Sequence, residues 1–391
     1  MNERQIYIDW IRIFLIFSVF LFHIGMIFNG WSWHVKNDAQ FALLNRPMAF
    51  LHAWRMPLLF LVSGAGTRFA LGFRSTKQFI SERKKRLLIP FAAGIFILVP
   101  VQVYIEKLDQ YASLLDFYMH FFDGIYPEGN FSWHHLWFII YLFFISLMFV
   151  PFIAFYRSSY YRLFENRLER LAKRKAGLLV LALPLLISQL ILRPWFPEET
   201  HALFNDWAFL CLDFIYFLYG FILLGNPELV KAIAKHRRVN LGVTLITTGA
   251  MYSLPDIFQS VSVGHSVYTL LSILMSWTIS LTILGYAKKY LNTDMPIRKP
   301  LNAAIYPFYL LHQPVIIVVA YFVTGSGLSV SLKAALITGI SLIIISAVYQ
   351  FFIFRNNILR VIFGMKRKEK SQPTRVNNLP YQKTTKQSAS W

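Results

Sequence analysis

Long apolar runs alternate with short polar connections along most of the 391-residue chain. A transmembrane helix needs about 20 predominantly apolar residues to cross the hydrocarbon core of a bilayer. Ten stretches approach that length, namely 11–28, 48–67, 88–104, 136–156, 176–192, 207–225, 241–255, 267–287, 301–323 and 331–354. The pattern therefore predicts an all-α, polytopic membrane bundle of about ten transmembrane helices, of which the third, fifth and seventh are short.

Basic residues mark every second connection between the apolar runs. The basic connections carry Arg68, Arg74, Lys77, Arg83, Lys84, Lys85 and Arg86 after the second run, Arg157, Arg162, Arg167, Arg170, Lys173, Arg174 and Lys175 after the fourth, Lys231, Lys235, Arg237 and Arg238 after the sixth, and Lys288, Lys289, Arg298 and Lys299 after the eighth. The alternate connections contain few basic residues and more acidic ones. Because Lys- and Arg-rich loops stay in the cytoplasm, the alternation predicts an even number of spans with both termini in the cytoplasm.

Composition supports a membrane protein and argues against nucleic-acid binding. Hydrophobic residues make up 56% of the chain, and the mean hydropathy is +0.48. A soluble chain of this length could not bury so much apolar surface. The net charge of +20 lies mainly in connections between apolar runs, where membrane topology explains it. The single cysteine, Cys211, excludes a disulfide framework and a multi-cysteine metal site, and no metal is expected.

The membrane domain is predicted to occupy residues 1–365. No small-residue cleavage site follows the first apolar run, so this run is expected to be a retained span and not a cleaved signal peptide. Residues 366–391 are polar and basic, which predicts a disordered cytoplasmic tail attracted to anionic lipids. The longest outer connection, about 105–134, is aromatic and acidic and is expected to lie over the site.

Five ionisable side chains fall inside predicted spans, where charged groups are costly. They are Arg12, His23, Arg55, Asp213 and His312. Arg12 and His23 share one face of the first span and lie about 16 Å apart along its axis. At the standard helical rise, the other three fall at depths similar to that of His23, which predicts a polar cavity in the outer half of the bundle. Structural roles remain open for four of them: an interhelical hydrogen bond for either histidine, snorkelling for Arg12, and a neutral or paired structural acid for Asp213.

This set of side chains suits acyl transfer. A histidine can take a proton from a sugar hydroxyl near neutral pH, and that hydroxyl can then attack a thioester carbonyl. Arg55 could stabilise the oxyanion or bind an acidic acyl group, while Asp213 or another acceptor orients the imidazole. The basic run at 83–86 suits the phosphates of a cytoplasmic donor, or serves only topology. A nucleotide-driven pump is disfavoured, because the sequence contains no Gly-rich phosphate loop.

Four motifs, spread along the chain, resemble those of the acyltransferase family 3 membrane enzymes. They are RIFLIFSVFLFH from Arg12 to His23, preceded by Asp9; LFLVSG with Ser63; RKKR with Arg83, Lys84 and Arg86, followed by LLIP; and YLLHQP with Tyr309 and His312. The resemblance covers about residues 5–360 and implies a multi-pass acyltransferase of the bacterial inner membrane. In such an enzyme, acyl-CoA binds from the cytoplasm near Arg12 and the RKKR residues, and His23 is catalytic.

Three further segments resemble a branch of this family that succinylates periplasmic glucans. They are GWSWHVKN with Trp33 and His34, HAWRMPLLFLVSG with His52 and Arg55, and HHLWFIIYL with His135 and Trp137. The resemblance implies acetyl-CoA or succinyl-CoA as donor, an extracytoplasmic carbohydrate as acceptor, and no permanently bound cofactor. Family members often carry a fused extracytoplasmic hydrolase-like domain. Since none is evident in this sequence, the bundle is expected to perform both donor transport and transfer, or to work with a periplasmic partner protein.

The sequence leaves two other functions open. Ten spans with buried arginines also suit a transporter or flippase for an anionic or lipid-linked solute, although paired broken spans are not evident. A structural subunit of an envelope complex is the third possibility. On the leading hypothesis, the catalytic set is His23, Arg12, Arg55 and His312, and the supporting set is Asp9, Asp213, Ser63, His135, Trp137 and Tyr309. The acyl group and the acceptor stay open.

Overall fold

The computed structural model describes residues 5–253 and 262–368, and these residues are predominantly helical. The first part contains α1 (Ile6–Phe28), α2 (Asn45–Leu71), α3 (Thr76–Arg83), α4 (Ile89–Ile97), α5 (Val99–Glu106), α6 (Leu114–Met119), α7 (Trp137–Met148), α8 (Val150–Tyr156) and α9 (Ser159–Ala172). The second part contains α10 (Gly177–Val180), α11 (Ala182–Leu192), α12 (Trp207–Leu223), α13 (Pro227–Ser253), α14 (Ser262–Tyr290), α15 (Arg298–Thr324), α16 (Val330–Ala347) and α17 (Asn357–Ile362). Two further stretches, Lys84–Leu88 and Val348–Ile353, are π-helical.

The described helices agree with a membrane bundle. Six of them, counting continuous helical runs, are long and apolar enough to cross a membrane. The number rises to eight if two bent pairs each form one span, namely His134–Met148 with Val150–Tyr156 and Trp207–Leu223 with Pro227–Ser253. A shorter apolar helix covers Gly177–Leu192. The all-α membrane architecture is thus confirmed, whereas the count of ten spans and the cytoplasmic termini stay predictions.

Every predicted span coincides with one or more apolar helices over the described residues. The end of the seventh predicted span and nearly all of the predicted tail lie outside those residues, at 254–255 and 369–391. Prolines explain why two spans are divided: Pro100 lies in the first turn of α5 and Pro151 in the first turn of α8. A proline lacks the backbone N–H that would continue the preceding helix, so the chain breaks there and starts a new helix.

Helices α2 and α12 cross with their backbones in direct contact. A Cβ on Gly64 would lie 1.9 Å from the carbonyl oxygen of Phe217, and a Cβ on Gly220 would lie 1.6 Å from that of Leu61. Only glycine permits this approach, as at many crossings of membrane helices, where small residues line the interface. The crossing fixes α2, which carries Arg55 and Ser63, against the centre of the bundle.

Helix α1 packs against both α2 and α15. At one end of the pair, the guanidinium of Arg298, the first residue of α15, donates to the carboxylate of Asp9 in the first turn of α1. Fourteen positions further along each helix lie His23 and His312, which also contact each other. Two parallel helices in the same register place both pairs at equal heights, about 21 Å apart along the axis. The ion pair and the histidine contact therefore hold α1 and α15 in one register.

Candidate active site

Two neighbouring imidazoles, the partly exposed His23 and the buried His312, form the centre of the site. Nδ1 of His23 lies 2.9 Å from Nε2 of His312, and the two rings are stacked with their centroids 5.0 Å apart. The other nitrogen of His312, Nδ1, contacts the carbonyl oxygen of Tyr309 one turn earlier in α15. A carbonyl oxygen can only accept, so Nδ1 of His312 carries a proton.

This arrangement fixes the tautomers of a neutral histidine pair. With its proton on Nδ1, His312 has only a lone pair at Nε2, and it accepts from the Nδ1–H of His23. The lone pair of His23 is then on Nε2, because the only hydrogen bond of this ring to the described residues uses Nδ1, and the side chain is partly exposed. An imidazole in that state can accept a proton from a substrate hydroxyl.

A proline explains how a third histidine joins the pair. Pro314 has no N–H, so the carbonyl of Leu310 lacks its usual partner four residues along α15. Nε2 of His135 donates to that carbonyl at 3.1 Å, and the ring of His135 meets the ring of His312 edge to face at 5.3 Å. The hydroxyl of Tyr309 donates to the backbone carbonyl of His135. These contacts join the start of α7 to α15 directly beside the histidine pair.

One face of the His23 ring is covered by an aromatic side chain. Trp33 stacks on His23 with an interplanar angle of 11° and a centroid distance of 5.9 Å. Arg55 packs on Phe22, the residue before His23, with its guanidinium carbon 3.3 Å from the ring centroid. Nε and Nη1 of Arg55 have no hydrogen-bond partner in the described part of the chain. The site thus contains a buried cation with unused donors near a histidine that can act as a base.

The loop between α11 and α12 supplies an acidic group near Arg55. Glu199, in the loop between α11 and α12, accepts from Nε2 of His52 at 3.1 Å and exerts its charge on Arg55. Burial alone would raise the pKa of Glu199, but the hydrogen bond with His52 and nearby cationic side chains lower it to about 2. Burial lowers the pKa of His201 in the same loop to about 4. At neutral pH, Glu199 is therefore a carboxylate and His201 is uncharged.

Two of the predicted supporting residues lie apart from the histidine pair. Both carboxylate oxygens of Asp213 are buried without a hydrogen-bond partner among the described residues, and the carbonyl of Tyr309 holds the imidazole of His312 instead. Trp137 stacks on His201 of the loop between α11 and α12, with a centroid distance of 4.1 Å.

A basic cavity opens on the other half of the bundle. Its volume is 870 Å³, and its lining includes Asp9, Arg12, Ser63, Gly66, Arg74, Arg83 and Arg86. Arg12 reaches from α1 to α2, where a Cβ on Gly66 would lie only 2.6 Å from its Nη2. Arg83 donates to the hydroxyl of Thr67 at 2.6 Å. Lys84 lines neither this cavity nor its neighbour. Of the three residues predicted to bind acyl-CoA, Arg83 and Arg86 therefore face the cavity and Lys84 does not.

The neighbouring cavity leads from the arginines toward the histidines. It measures 440 Å³ and shares Arg12, Ser63, Arg83, Arg86 and Asn302 with the first cavity. Its lining also contains Phe138, Ile139 and Tyr309. Tyr309 connects this cavity to the histidines, because its hydroxyl donates to the carbonyl of His135 and its carbonyl accepts from Nδ1 of His312. A donor with phosphates at one end and a reactive group at the other fits a path with this change from basic to apolar lining.

The comparison with protein families agrees with the acyltransferase class expected from the sequence. A family model described as an acyltransferase domain matches residues 5–352. The chain belongs to this acyltransferase family. All four motifs noted in the sequence lie inside the matched range, and each contributes at least one side chain to the two cavities or to the histidine pair.

Curated relatives of this acyltransferase-family protein carry a more specific name. The chain is 28% identical over 148 residues to glucans biosynthesis protein C of Salmonella schwarzengrund (strain CVM19633), a match covering 36% of each chain. It is 25% identical over 192 residues to the protein of that name in Salmonella paratyphi B, covering 47% of this chain and 46% of the relative. The matches thus span less than half of these relatives. The resemblance noted from the three further segments is confirmed, at low identity and over part of the chain. No solved structure matches the chain.

Some site residues of the acyltransferase-family protein were not found from its sequence. Arg298 was assigned only to topology, and Glu199 only to an outer connection. The fourteen-residue spacing shared by Asp9–His23 and Arg298–His312 is a signal that could have paired α1 with α15. Lys366, the first residue of the predicted tail, lines the second cavity. No pattern in the sequence separates it from the basic residues that follow.

Proposed function

We propose that the protein is an inner-membrane O-acyltransferase that moves an acetyl or succinyl group from cytoplasmic acyl-CoA to a hydroxyl of an extracytoplasmic glycan. The observation that carries the proposal is the hydrogen-bonded series from the carbonyl of Tyr309 through His312 to His23. It leaves Nε2 of His23 as a base above a cavity lined by arginines. The proposal includes ten spans with both termini in the cytoplasm, as the distribution of basic residues predicts.

The donor enters from the cytoplasmic side. Its phosphates bind Arg12, Arg83 and Arg86, because guanidinium groups form charge-assisted hydrogen bonds with phosphate oxygens. The arm that carries the thioester extends through the second cavity toward Tyr309. This places the thioester near the histidine pair and leaves the acceptor to approach from the outer side.

The reaction follows from the tautomers of the pair. Nε2 of His23 takes the proton of the acceptor hydroxyl as the hydroxyl oxygen bonds to the thioester carbonyl carbon. His312 stabilises the resulting imidazolium by accepting from its Nδ1–H. The tetrahedral intermediate then breaks its carbon–sulfur bond, and His23 returns the proton to the leaving thiolate. The products are an O-acyl ester and free CoA, and no acyl-enzyme is required.

Arg55 is placed to act on developing negative charge. Its two unpartnered donors lie in a buried environment, where a hydrogen bond to an oxyanion stabilises the transition state more than it would in water. If the donor is succinyl-CoA, the same guanidinium can instead bind the free carboxylate of the acyl group. The name shared by the relatives makes a glucan the first acceptor to test.

The proposal is tested by reconstituting the purified protein in vesicles with acyl-CoA and a periplasmic glucan fraction. Mass spectrometry of the glucan should show a gain of one acyl mass that is lost with His23→Ala and reduced with His312→Ala. His120→Ala is the control, because His120 is an exposed histidine whose partner is Asp123. Normal acylation by the His23→Ala protein would refute the catalytic role, and glucan transport without acyl-CoA would favour a transporter.

A further inference from the structure

Three side chains with metal-binding groups meet on the outer side of the protein. His34 lies in the loop after α1, Glu106 is the last residue of α5, and His134 precedes α7. One ligand atom from each lies within 4.8 Å of the ligand atoms of the other two. The three come from separate segments of the chain, so their convergence is produced by the fold and not by local sequence.

Each of the three side chains is also held by a second residue. Gln313 contacts Nε2 of His34 at 3.2 Å, the hydroxyl of Tyr126 donates to Oε1 of Glu106 at 2.9 Å, and Ser132 contacts Nδ1 of His134 at 3.2 Å. Metal-binding histidines and carboxylates are usually oriented in this way, by a hydrogen bond to the atom that does not bind the metal.

One hydrogen-bonded pair and one unpartnered nitrogen face a shared position. Nδ1 of His34 and Oε2 of Glu106 form a hydrogen bond of 2.6 Å, which a metal ion between them would replace. Nε2 of His134 is buried and has no hydrogen-bond partner among the described residues. A buried imidazole nitrogen without a partner is costly unless something binds it. The neighbouring cation Lys107 does not meet this need, since its ammonium group donates to the carbonyl of Gly129 at 2.7 Å.

We propose that His34, Glu106 and His134 bind one divalent transition-metal ion of the zinc class through Nδ1, Oε2 and Nε2. Two imidazoles and one carboxylate form a common three-residue zinc set, in which water completes a tetrahedral shell. Ligand atoms about 2.0–2.2 Å from zinc lie roughly 3.4 Å apart in a tetrahedron. The 2.6 Å contact between His34 and Glu106 would therefore open slightly, and the side chain of His134 would move inward.

The site would stabilise the outer edge of the candidate active site without belonging to it. His34 follows Trp33, which stacks on His23, and Gln313 follows His312. A bound ion would therefore fix the loop after α1 against α5 and α7 at the place where the acceptor is proposed to enter. Metal binding itself does not depend on the proposed function, because the three ligands and their partners are defined without a substrate.

The test is cobalt and zinc binding by the purified full chain, free of any polyhistidine tag and washed with a chelator. Co²⁺ should bind at one equivalent per chain and give the visible absorption of a tetrahedral site, and Zn²⁺ should displace it. His134→Ala and Glu106→Gln should each lower the affinity on the order of 100-fold. Zn²⁺ should raise the thermal midpoint of the natural protein but not of these variants.

The pair His120 and Asp123 provides the matched control. It is another outer histidine–carboxylate pair, with Nδ1 2.7 Å from Oδ2, but it is exposed and outside the proposed metal cluster. His120→Ala should keep full cobalt affinity. Glu106→Gln has nearly the shape of the natural residue and serves if His134→Ala does not fold. Failure of the natural protein to bind at one equivalent, or equal binding by the Glu106→Gln protein, would overturn the proposal. An equal loss of cobalt affinity in the His120→Ala protein would overturn it as well.

Discussion

The sharpest test of donor binding separates four adjacent basic residues into two pairs. Arg83 and Arg86 line the large cavity, whereas Lys84 and Lys85 are exposed and line neither cavity. The segment Lys84–Leu88 is π-helical, a local geometry frequent at functional sites. Replacing either pair by glutamine removes two positive charges from the same connection. Any effect on membrane topology should therefore be similar in the two variants, and only a specific contact with the donor should separate them.

The expected loss follows from the environment of each arginine. A hydrogen bond from a charged group contributes about 1.5–3 kcal/mol. Arg83 also donates to Thr67, so we assign it the lower value, about 1.5 kcal/mol. Arg86 is 47% exposed and pairs with Glu82, so solvent screening reduces its share to about 1 kcal/mol. The sum of about 2.5 kcal/mol corresponds to roughly a 70-fold weaker Kd for acyl-CoA.

The assay is equilibrium binding of labelled acyl-CoA to the purified protein at two ionic strengths. The natural protein should bind more weakly at high salt because exposed charges are screened. The Arg83→Gln/Arg86→Gln protein should bind weakly at both salt concentrations, and the Lys84→Gln/Lys85→Gln protein should stay within about twofold of the natural one. The reasoning is refuted if the arginine variant keeps its affinity, or if both variants lose affinity equally.

Three further predictions follow from other contacts. His312→Gln should retain more acylation than His312→Ala, because a glutamine oxygen can replace Nε2 as acceptor, and a comparison of kcat between the two checks this. Gly220→Ala should lower the free energy of unfolding by about 1–3 kcal/mol or more, because its Cβ would meet the carbonyl of Leu61, whereas Gly242→Ala has open space and should not. Because the pKa of Glu199 is depressed, its stabilising effect should be complete above pH 5 and should decline as pH falls through about 4 toward 2. Between pH 5 and pH 2, the thermal midpoint of the Glu199→Gln protein should therefore fall less than that of the natural protein. An equal fall in both proteins would contradict this.

Much of the fold follows from hydropathy alone. A helix in lipid must satisfy every backbone group internally, so long apolar runs have few other structures available. The run around His23 and the run around His312 were both predicted, and helical rise placed the two histidines at similar depths. Helical rise gives no information on which helices are neighbours. The contact between the two rings depends on α1 packing against α15, and the sequence did not predict that packing.

The contacts within the site were harder to predict from the sequence than the residues that form it. Asp213 or another acceptor was expected to orient the imidazole, and the acceptor that contacts His312 is the backbone carbonyl of Tyr309. Backbone carbonyls carry no mark in the sequence unless a proline removes their usual partner. Pro314 is such a mark, since it frees the carbonyl of Leu310 that His135 uses. A proline inside a predicted span thus marks a carbonyl that needs a partner, but it does not identify the side chain that supplies it.

Helix α1 connects the two chemical parts of the site. Arg12 lies at the donor cavity and His23 in the histidine pair, about 16 Å apart along one uninterrupted helix. The ion pair between Asp9 and Arg298 and the contact between His23 and His312 fix that helix at two heights. A rigid element of this kind sets the distance between the bound phosphates and the base. On the proposed function, the length of the donor arm and not a large movement of the protein would then carry the acyl group to the outer half of the membrane.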